Sequence, residues 1–554
     1  MTERIDIEEY SLFKSIGSFR AKIILILFYL LLLGVFYYDL VLPEVLYIHV
    51  MAHDNFIFLD GAYRVWSGQI PHVDFISALG FFNYYGPGLI MGFGLDATQS
   101  FVLYNYLWLV FILSLSLYVC MTRLSISISL IFLLYMSVLV GAPMNIAEAG
   151  TEVTYAMFYN RIGWGALILM VLFMVRPFSY NAIRSNIEAG VVGFIWLLLL
   201  YTKITYFVVA PLVVLSGILI SSVNITFIIR SALVFFVGVL IVELYFPGIN
   251  FQYINDLLMT VNANDGKRVA WGINVFLDVF YVFMFLCFYV FLRRRCFSYS
   301  QDLVVLVIFF LSVFIAWNNF QRGGMPTLVS LLILVHSWVS VDKTLFIRYK
   351  GVLFLFLLML MGPDIYIRLQ AIERHERIPR VHEAESLQGC LSGIYIRDVE
   401  ASKVPLMNID EGGIIKMTLE EFHGFSSLAS NEWDIYQSQY AYMVSQGCVA
   451  INSVVSEYGK RPLVNFDFSN PFSMLLNLPP VYGDYAWYHS GRNISANSYL
   501  APEKFLAGAG YISIPKFPGN IHSRNLLMFI SRDYLDEYFD LIYDGVLWEV
   551  YVRK

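Results

Sequence analysis

The chain has 554 residues, 58% of them hydrophobic and only 14% charged, whereas soluble proteins carry about 25% charged residues. With a mean hydropathy of +0.65, this excludes an ordinary soluble protein and makes a lipid bilayer the expected partner. The net charge of −6 gives no basic face for nucleic acid, and five cysteines without zinc spacing exclude a disulfide framework or zinc cluster.

Residues 1–22 are mixed in charge, and the apolar run at 23–42 is long enough to span while lacking a small-residue cleavage site. Further apolar runs fall at 101–121, 124–142, 162–177, 188–202, 206–222, 227–246, 274–292, 302–317, 326–341 and 350–363. Each approaches the ~20 residues a spanning helix needs, which predicts about 11 transmembrane helices. Lys14, Arg20, Lys22, Arg123, Arg176, Arg184, Arg230, Arg293–Arg295, Lys343, Arg348 and Lys350 then fall on one side. By the positive-inside rule the N-terminus is cytoplasmic and everything after residue 364 is external.

From 365 to 554 charges return and apolar runs shorten to strand length. Residues 404–409, 462–466, 511–514 and 548–552 are expected as buried strands. Residues 431–458 (capped by Asn431), 501–508 and 532–542 are expected as helices. The fold expectation is therefore a multi-pass α-helical membrane domain, 1–364, followed by a soluble α/β domain, 365–554. Cys390 and Cys448 are the only cysteines in that domain. An oxidising compartment would permit them to pair, and two free buried thiols are the alternative.

The first external loop, 43–100, carries His53-Asp54-Asn55, then Gly68-Gln69-Ile70-Pro71-His72-Val73-Asp74-Phe75 and Tyr85-Gly86-Pro87. The order Asp-Asn, Gly-Gln-x-Pro, Asp-Phe just beyond the first span resembles the first external loop of multi-pass glycosyltransferases that take sugars from polyprenyl-phosphate carriers, the GT-C fold. That resemblance implies that Asp54 is the catalytic base or a ligand of a divalent metal ion. Family members often carry Asp-Glu here, so Asn55 leaves a second carboxylate to be found elsewhere. In the second external loop, 143–161, Glu148 and Glu152 have i, i+4 spacing. The family analogy favours Glu152, nearer to Tyr159-Asn160-Arg161, as the acid acting with Asp54 on a metal or on the acceptor.

The carrier phosphate needs cations. Arg161 offers forked donors, though arginines also snorkel at interfaces. Lys203, in Tyr201-Thr202-Lys203-Ile204-Thr205-Tyr206, matches a Thr-Lys-x-Thr-Tyr pattern of the family at the outer membrane surface. Lys267, Arg268 and Arg322 are further candidates, the last beside Gly323-Gly324. Asp74 is expected to fix its loop or to contact substrate, Asp60 to be a solvated or structural acid, and Asp54 on its own to suit a helix cap. In the external domain, Asn465–Phe472, Leu478-Pro479-Pro480, Gly483-Asp484 and His489-Ser490-Gly491-Arg492 resemble uncharacterised bacterial members of the superfamily. There Asp467 and Asn470 stand either as ligands at a strand end or as holders of the loop.

Together the resemblance implies an inverting enzyme of the bacterial inner membrane. It would move a sugar from a polyprenyl-phosphate donor to a glycan, lipid or protein acceptor on the periplasmic face, with no nucleic-acid partner. A lipid-linked glycan polymerase or ligase is one alternative. A polyprenyl-linked sugar transporter or flippase is the non-enzyme rival, although Glu243 is the only acid well inside an apolar run and no repeat is visible.

Overall fold

The computed structural model describes residues 19–48, 51–146, 148–150, 152–179, 182–264, 289, 298–319, 326–339, 343–381, 390–391, 393–396 and 437–554. Lys267, Arg268, Arg322, Asn431 and the expected strand at 404–409 lie outside them.

Apolar content drives the chain into helices from the start. Helix α1 (Phe19–Phe36) runs on through a π turn at Tyr37–Val41 into the short strand β1 (Leu46–Ile48). The segment after β1 is itself folded, with α2 (Ala52–Trp66) and α3 (Phe82–Met91) packed together. Helix α4 (Ala97–Arg123) opens on a capping box in which Asp96 and Gln99 satisfy each other's backbone donors. Then follow α5 (Ile126–Gly141), α6 (Phe158–Phe173), α7 (Ala182–Leu200), α8 (Ile204–Leu219), α9 (Ile225–Tyr245), α10 (Ile249–Ala263), α11 (Tyr299–Asn318), α12 (Thr327–Val339) and α13 (Lys343–Val381).

The number of spans differs from the expectation of about eleven. Among the described residues, six helices are long and apolar enough to cross a membrane: Phe19–Val41, Ala97–Arg123, Ala182–Leu200, Ile225–Tyr245, Tyr299–Asn318 and Gly351–Glu376. The runs at 124–142, 162–177, 206–222 and 326–341 form shorter apolar helices, and the run at 274–292 is outside the described residues apart from Tyr289. The reason is visible in α6, where every residue from Asn160 to Phe173 is buried. Its 16 residues reach about 24 Å, short of a ~30 Å hydrocarbon core. They are apolar because they form the centre of the bundle. Helix α9 is the opposite case, with Ile229, Leu233, Phe236, Leu240 and Leu244 exposed as a lipid-facing surface would be. Glu243 on α9 accepts hydrogen bonds from Gly248 N (2.7 Å) and Asn250 Nδ2 (2.8 Å), so it joins α9 to α10.

The chain does not leave the helical part at 364, since α13 continues to Val381. Beyond it, β2 (Ile394–Ile396) pairs in parallel with β1. The remaining elements are α14 (Gln437–Tyr458), β3 (Leu463–Asn465), α15 (Phe472–Leu475), α16 (Pro502–Phe505), β4 (Tyr511–Pro515), α17 (Ile521–Tyr538), β5 (Phe539–Asp544) and β6 (Trp548–Arg553). Strands β3-β4-β6-β5 form a mixed sheet, parallel only at β3–β4. Strand β5 falls partly where a helix over 532–542 was expected. Helix α17 stops at Tyr538, and the alternation of Phe539, Leu541 and Tyr543 is read as strand because it pairs with β6.

Cys390 and Cys448 are joined in a disulfide with Cα atoms 6.4 Å apart. With the β1–β2 pair, it ties the C-terminal region to the C-terminal end of α1.

Candidate active site

Helix α2 holds the first candidate. The cap position is Met51, in the left-handed region at φ 58°, with no side-chain cap bond. Asp54 therefore sits in the first turn and does not cap. Its side chain is 14% exposed, with Oδ1 3.9 Å from His53 Nε2. Burial pushes its carboxyl up to about 7, against the opposing pull of Arg492. Tyr159 of α6 and Tyr440 of α14 also lie within reach of its charge.

The loop after α2 is fixed on all sides. Asp74 Oδ2 accepts from Ile70 N at 2.7 Å, closing the Gly68–Asp74 turn, and its carbonyl accepts from Gly483 N at 2.7 Å. His72 Nδ1 lies 2.8 Å from Asp256 Oδ2, which also accepts from Ser77 N at 3.0 Å, so the loop is fastened to α10. Asp60 is buried rather than solvated. Arg64 Nε donates to its Oδ2 at 2.6 Å, and Arg64 Nη2 donates to Asp484 Oδ2 at 3.0 Å. Arg64 Nη1 reaches the Val481 carbonyl at 3.0 Å, and Tyr63 Oη donates to Asn477 Oδ1 at 2.9 Å. These bonds fasten the C-terminal domain onto α2.

The end of the same loop grips the turn between α7 and α8. Asn83 Nδ2 donates to Thr202 O at 2.8 Å, and Gly80 N donates to the same carbonyl at 3.2 Å. Gly80 allows this approach, since a Cβ there would stand 2.2 Å from the Tyr201 carbonyl carbon. Lys203, the next residue, is thereby held in register with α2. Its Nζ donates to Asn160 Oδ1 at 3.2 Å and lies 4.7 Å from the centre of the Tyr159 ring. Burial, and then the charge of Arg492, lower its pKa well below the usual ammonium range. Tyr206 Oη donates to Asn160 Oδ1 at 3.3 Å and accepts from Asn319 Nδ2 at 3.0 Å, while Thr205 Oγ1 donates to Asn319 Oδ1 at 3.2 Å. Three sequence motifs, Tyr159-Asn160, Lys203–Tyr206 and Asn319, thus meet beside one another.

Arg161 turns elsewhere. It is buried, donating to the Ala142 carbonyl and, at 3.3 Å, to Asn105 Oδ1. Glu152 is half-buried in the α5–α6 loop, its amide donating to Ala149 O at 2.9 Å. Among the described residues no hydrogen bond or ion pair links it to Asp54. Among the described residues no group of three potential metal ligands occurs, and the charge that bears on Asp54 is that of Arg492. Asp467 accepts from the amides of Phe468 (2.7 Å), Gly519 (2.9 Å) and Asn520 (3.0 Å), and Asn470 Nδ2 donates to Leu463 O at 2.8 Å. Both hold loops.

Sequence reasoning quoted Arg492 within a motif but gave it no role. It reaches the site through a turn in which Gly491 has φ 77°, Gly491 N donates to Ile494 O (2.8 Å) and Asn493 Oδ1 accepts from His489 N (2.7 Å). A line of rings continues inward: His489 lies 5.4 Å from Phe468, and Phe468 4.8 Å from His53, the neighbour of Asp54. No known protein family, curated protein or solved structure matches this chain.

Proposed function

We propose that the protein is a membrane glycosyltransferase that moves a sugar from a polyprenyl-phosphate carrier to an acceptor hydroxyl, with Asp54 as general base. The observation that carries this reading is a buried carboxyl with a pKa of about 7 within reach of the Arg492 guanidinium and of Tyr159, the ring on which the Lys203 amine also rests. A base is most effective when its pKa is near the working pH, and such help is worth about 10²–10⁴-fold. Buried carboxylates with so perturbed a titration are where chemistry is expected.

In the proposed step the acceptor hydroxyl gives its proton to Asp54 as its oxygen forms a bond to the anomeric carbon. The bond from that carbon to the phosphate oxygen breaks, and its electron pair leaves with the polyprenyl monophosphate. Inversion follows from a single displacement. Asp74 serves by holding the loop that carries the site, and Arg161 by fixing α6 against α4 and α5. On this reading the shorter apolar helices complete the membrane-embedded bundle, the basic ends are cytoplasmic and the C-terminal domain is periplasmic. The Cys390–Cys448 disulfide supports placing that domain in an oxidising compartment.

The test is transfer by purified full-length protein from a panel of polyprenyl-phosphate sugars, guided by mass spectrometry of envelope glycans from a deletion strain. Asp54→Asn abolishes transfer at normal protein level, and wild-type turnover falls as pH drops below about 7. Near-normal turnover by Asp54→Asn would sink the proposal.

A further inference from the structure

We infer that α10 is an interfacial helix: it lies along a bilayer surface with one apolar stripe embedded at the boundary of lipid headgroups and acyl chains.

The side chains of α10 are arranged in the reverse of an ordinary surface helix, which turns its apolar stripe inward and its polar face to water. Phe251, Ile254, Leu258 and Val261 follow one another at steps of three and four residues, so they share a face. Each is more than half exposed. The only charged residue of the helix, Asp256, is buried on the other side with Ile249, Tyr253 and Ala263. An uncharged apolar stripe left in water is unfavourable, and burying it in the interfacial layer of a bilayer removes that cost.

The height of α10 is fixed by two helices that are long and apolar enough to span, α7 and α9. At the end of α7, Tyr253 Oη donates to the Leu200 carbonyl at 3.2 Å and Tyr201 Oη donates to Asn250 Oδ1 at 2.7 Å. At the end of α9, the Glu243 carboxylate accepts from the amides of Gly248 (2.7 Å) and Asn250 (3.2 Å), closing the first turn of α10. Gly248, at φ 85°, makes the corner. The N-terminal half of α10 is thus tied to the ends of two spans, at the level where they leave the hydrocarbon. The exposed apolar surface of α9 runs up to Leu244 and Tyr245 and resumes at Phe251, so one lipid-facing surface turns this corner.

Protein occupies the opposite face. Asp256 holds His72 and Ser77 there, and Ser498 Oγ of the C-terminal domain donates to the Met259 carbonyl at 3.3 Å. With the loop after α2 and the C-terminal domain packed on one side, the stripe on the other is left to the lipid.

The experiment places a nitroxide spin label on full-length protein in phosphatidylcholine nanodiscs, at Ile254→Cys, Leu258→Cys or the exposed polar flank Gln252→Cys. The background carries Cys287→Ser and Cys296→Ser, since Cys120 is buried and Cys390 and Cys448 are bonded to each other. Electron paramagnetic resonance then reads collisions with oxygen, which concentrates in lipid, and with a water-soluble nickel chelate. The ratio of oxygen to nickel collisions is several-fold higher at positions 254 and 258 than at 252. Phe251→Cys and Val261→Cys repeat the measurement at the ends of the stripe, and unchanged thermal unfolding verifies that each variant folds. Ready access of the nickel chelate at 254 and 258, equal to that at 252, means that the stripe faces water and overturns the inference. Few collisions with either reagent mean that protein covers the stripe, from elsewhere in this chain or from a second copy, and overturn it equally.

Discussion

Asp54→Asn tests the site without knowledge of the substrate. An aspartate in the unfolded chain titrates near 3.9, whereas burial holds Asp54 near 7 in the folded protein. The folded state then holds more protons than the unfolded chain between those values, so this group makes stability fall as pH rises through that window. The cost is about 1.5 kcal/mol at pH 5 and about 4 kcal/mol at pH 8, once the carboxyl ionises in both states. Asparagine keeps the size and cannot ionise, so the variant is more stable than wild type, by a margin that grows by about 2–3 kcal/mol from pH 5 to pH 8. Denaturant unfolding in matched detergent, measured at several pH values, gives the difference directly. A stability difference that does not change with pH would refute the claim that burial perturbs Asp54, and with it the case for this group as a base near neutrality. Loss of transfer together with gain of stability is the pattern of a strained functional group.

Removing Arg64 leaves Asp60 and Asp484 buried without their cation, so Arg64→Met should destabilise by about 3–5 kcal/mol; a shift in unfolding midpoint of a surface-mutation size would contradict the bridge. Glu152→Gln should retain far more transfer than Asp54→Asn, because no contact joins the two acids; equal loss in a side-by-side turnover assay would bring a shared role back. Denatured protein should show two more free thiols after reduction, and the 58-residue separation of Cys390 and Cys448 makes the bridge worth about 4 kcal/mol by restricting the unfolded chain; equal thiol counts with and without reductant would deny it. Gly80→Ala should lower turnover by displacing the Tyr201–Lys203 turn, and full activity at normal expression would show that this register is not needed.

Local chemistry in the sequence determined much of this protein. Uninterrupted apolar runs identified membrane helices, because a chain so poor in charge must bury its backbone polar groups in helices to sit in lipid. The runs β3, β4 and β6 were legible for a similar reason: short stretches rich in Val, Ile and Tyr bounded by Pro and Gly have few other ways to be buried. Asp54 and Lys203 stood out because a charged residue at the end of an apolar run lacks a packing role. What hydrophobicity cannot encode is what covers an apolar surface. Helix α6 and helix α9 read alike in the sequence, yet the first is wrapped by protein and the second is open, a difference that packing alone decides. The same limit applies to charges. Asp54 and Asp60 lie six residues apart on one short helix, and only the fold adds Asp484 to the Asp60–Arg64 pair while bringing Asp54 within reach of the Arg492 charge. Arg492 is 438 positions from Asp54, a distance that no local pattern spans and that the docking of the C-terminal domain onto the first loop closes.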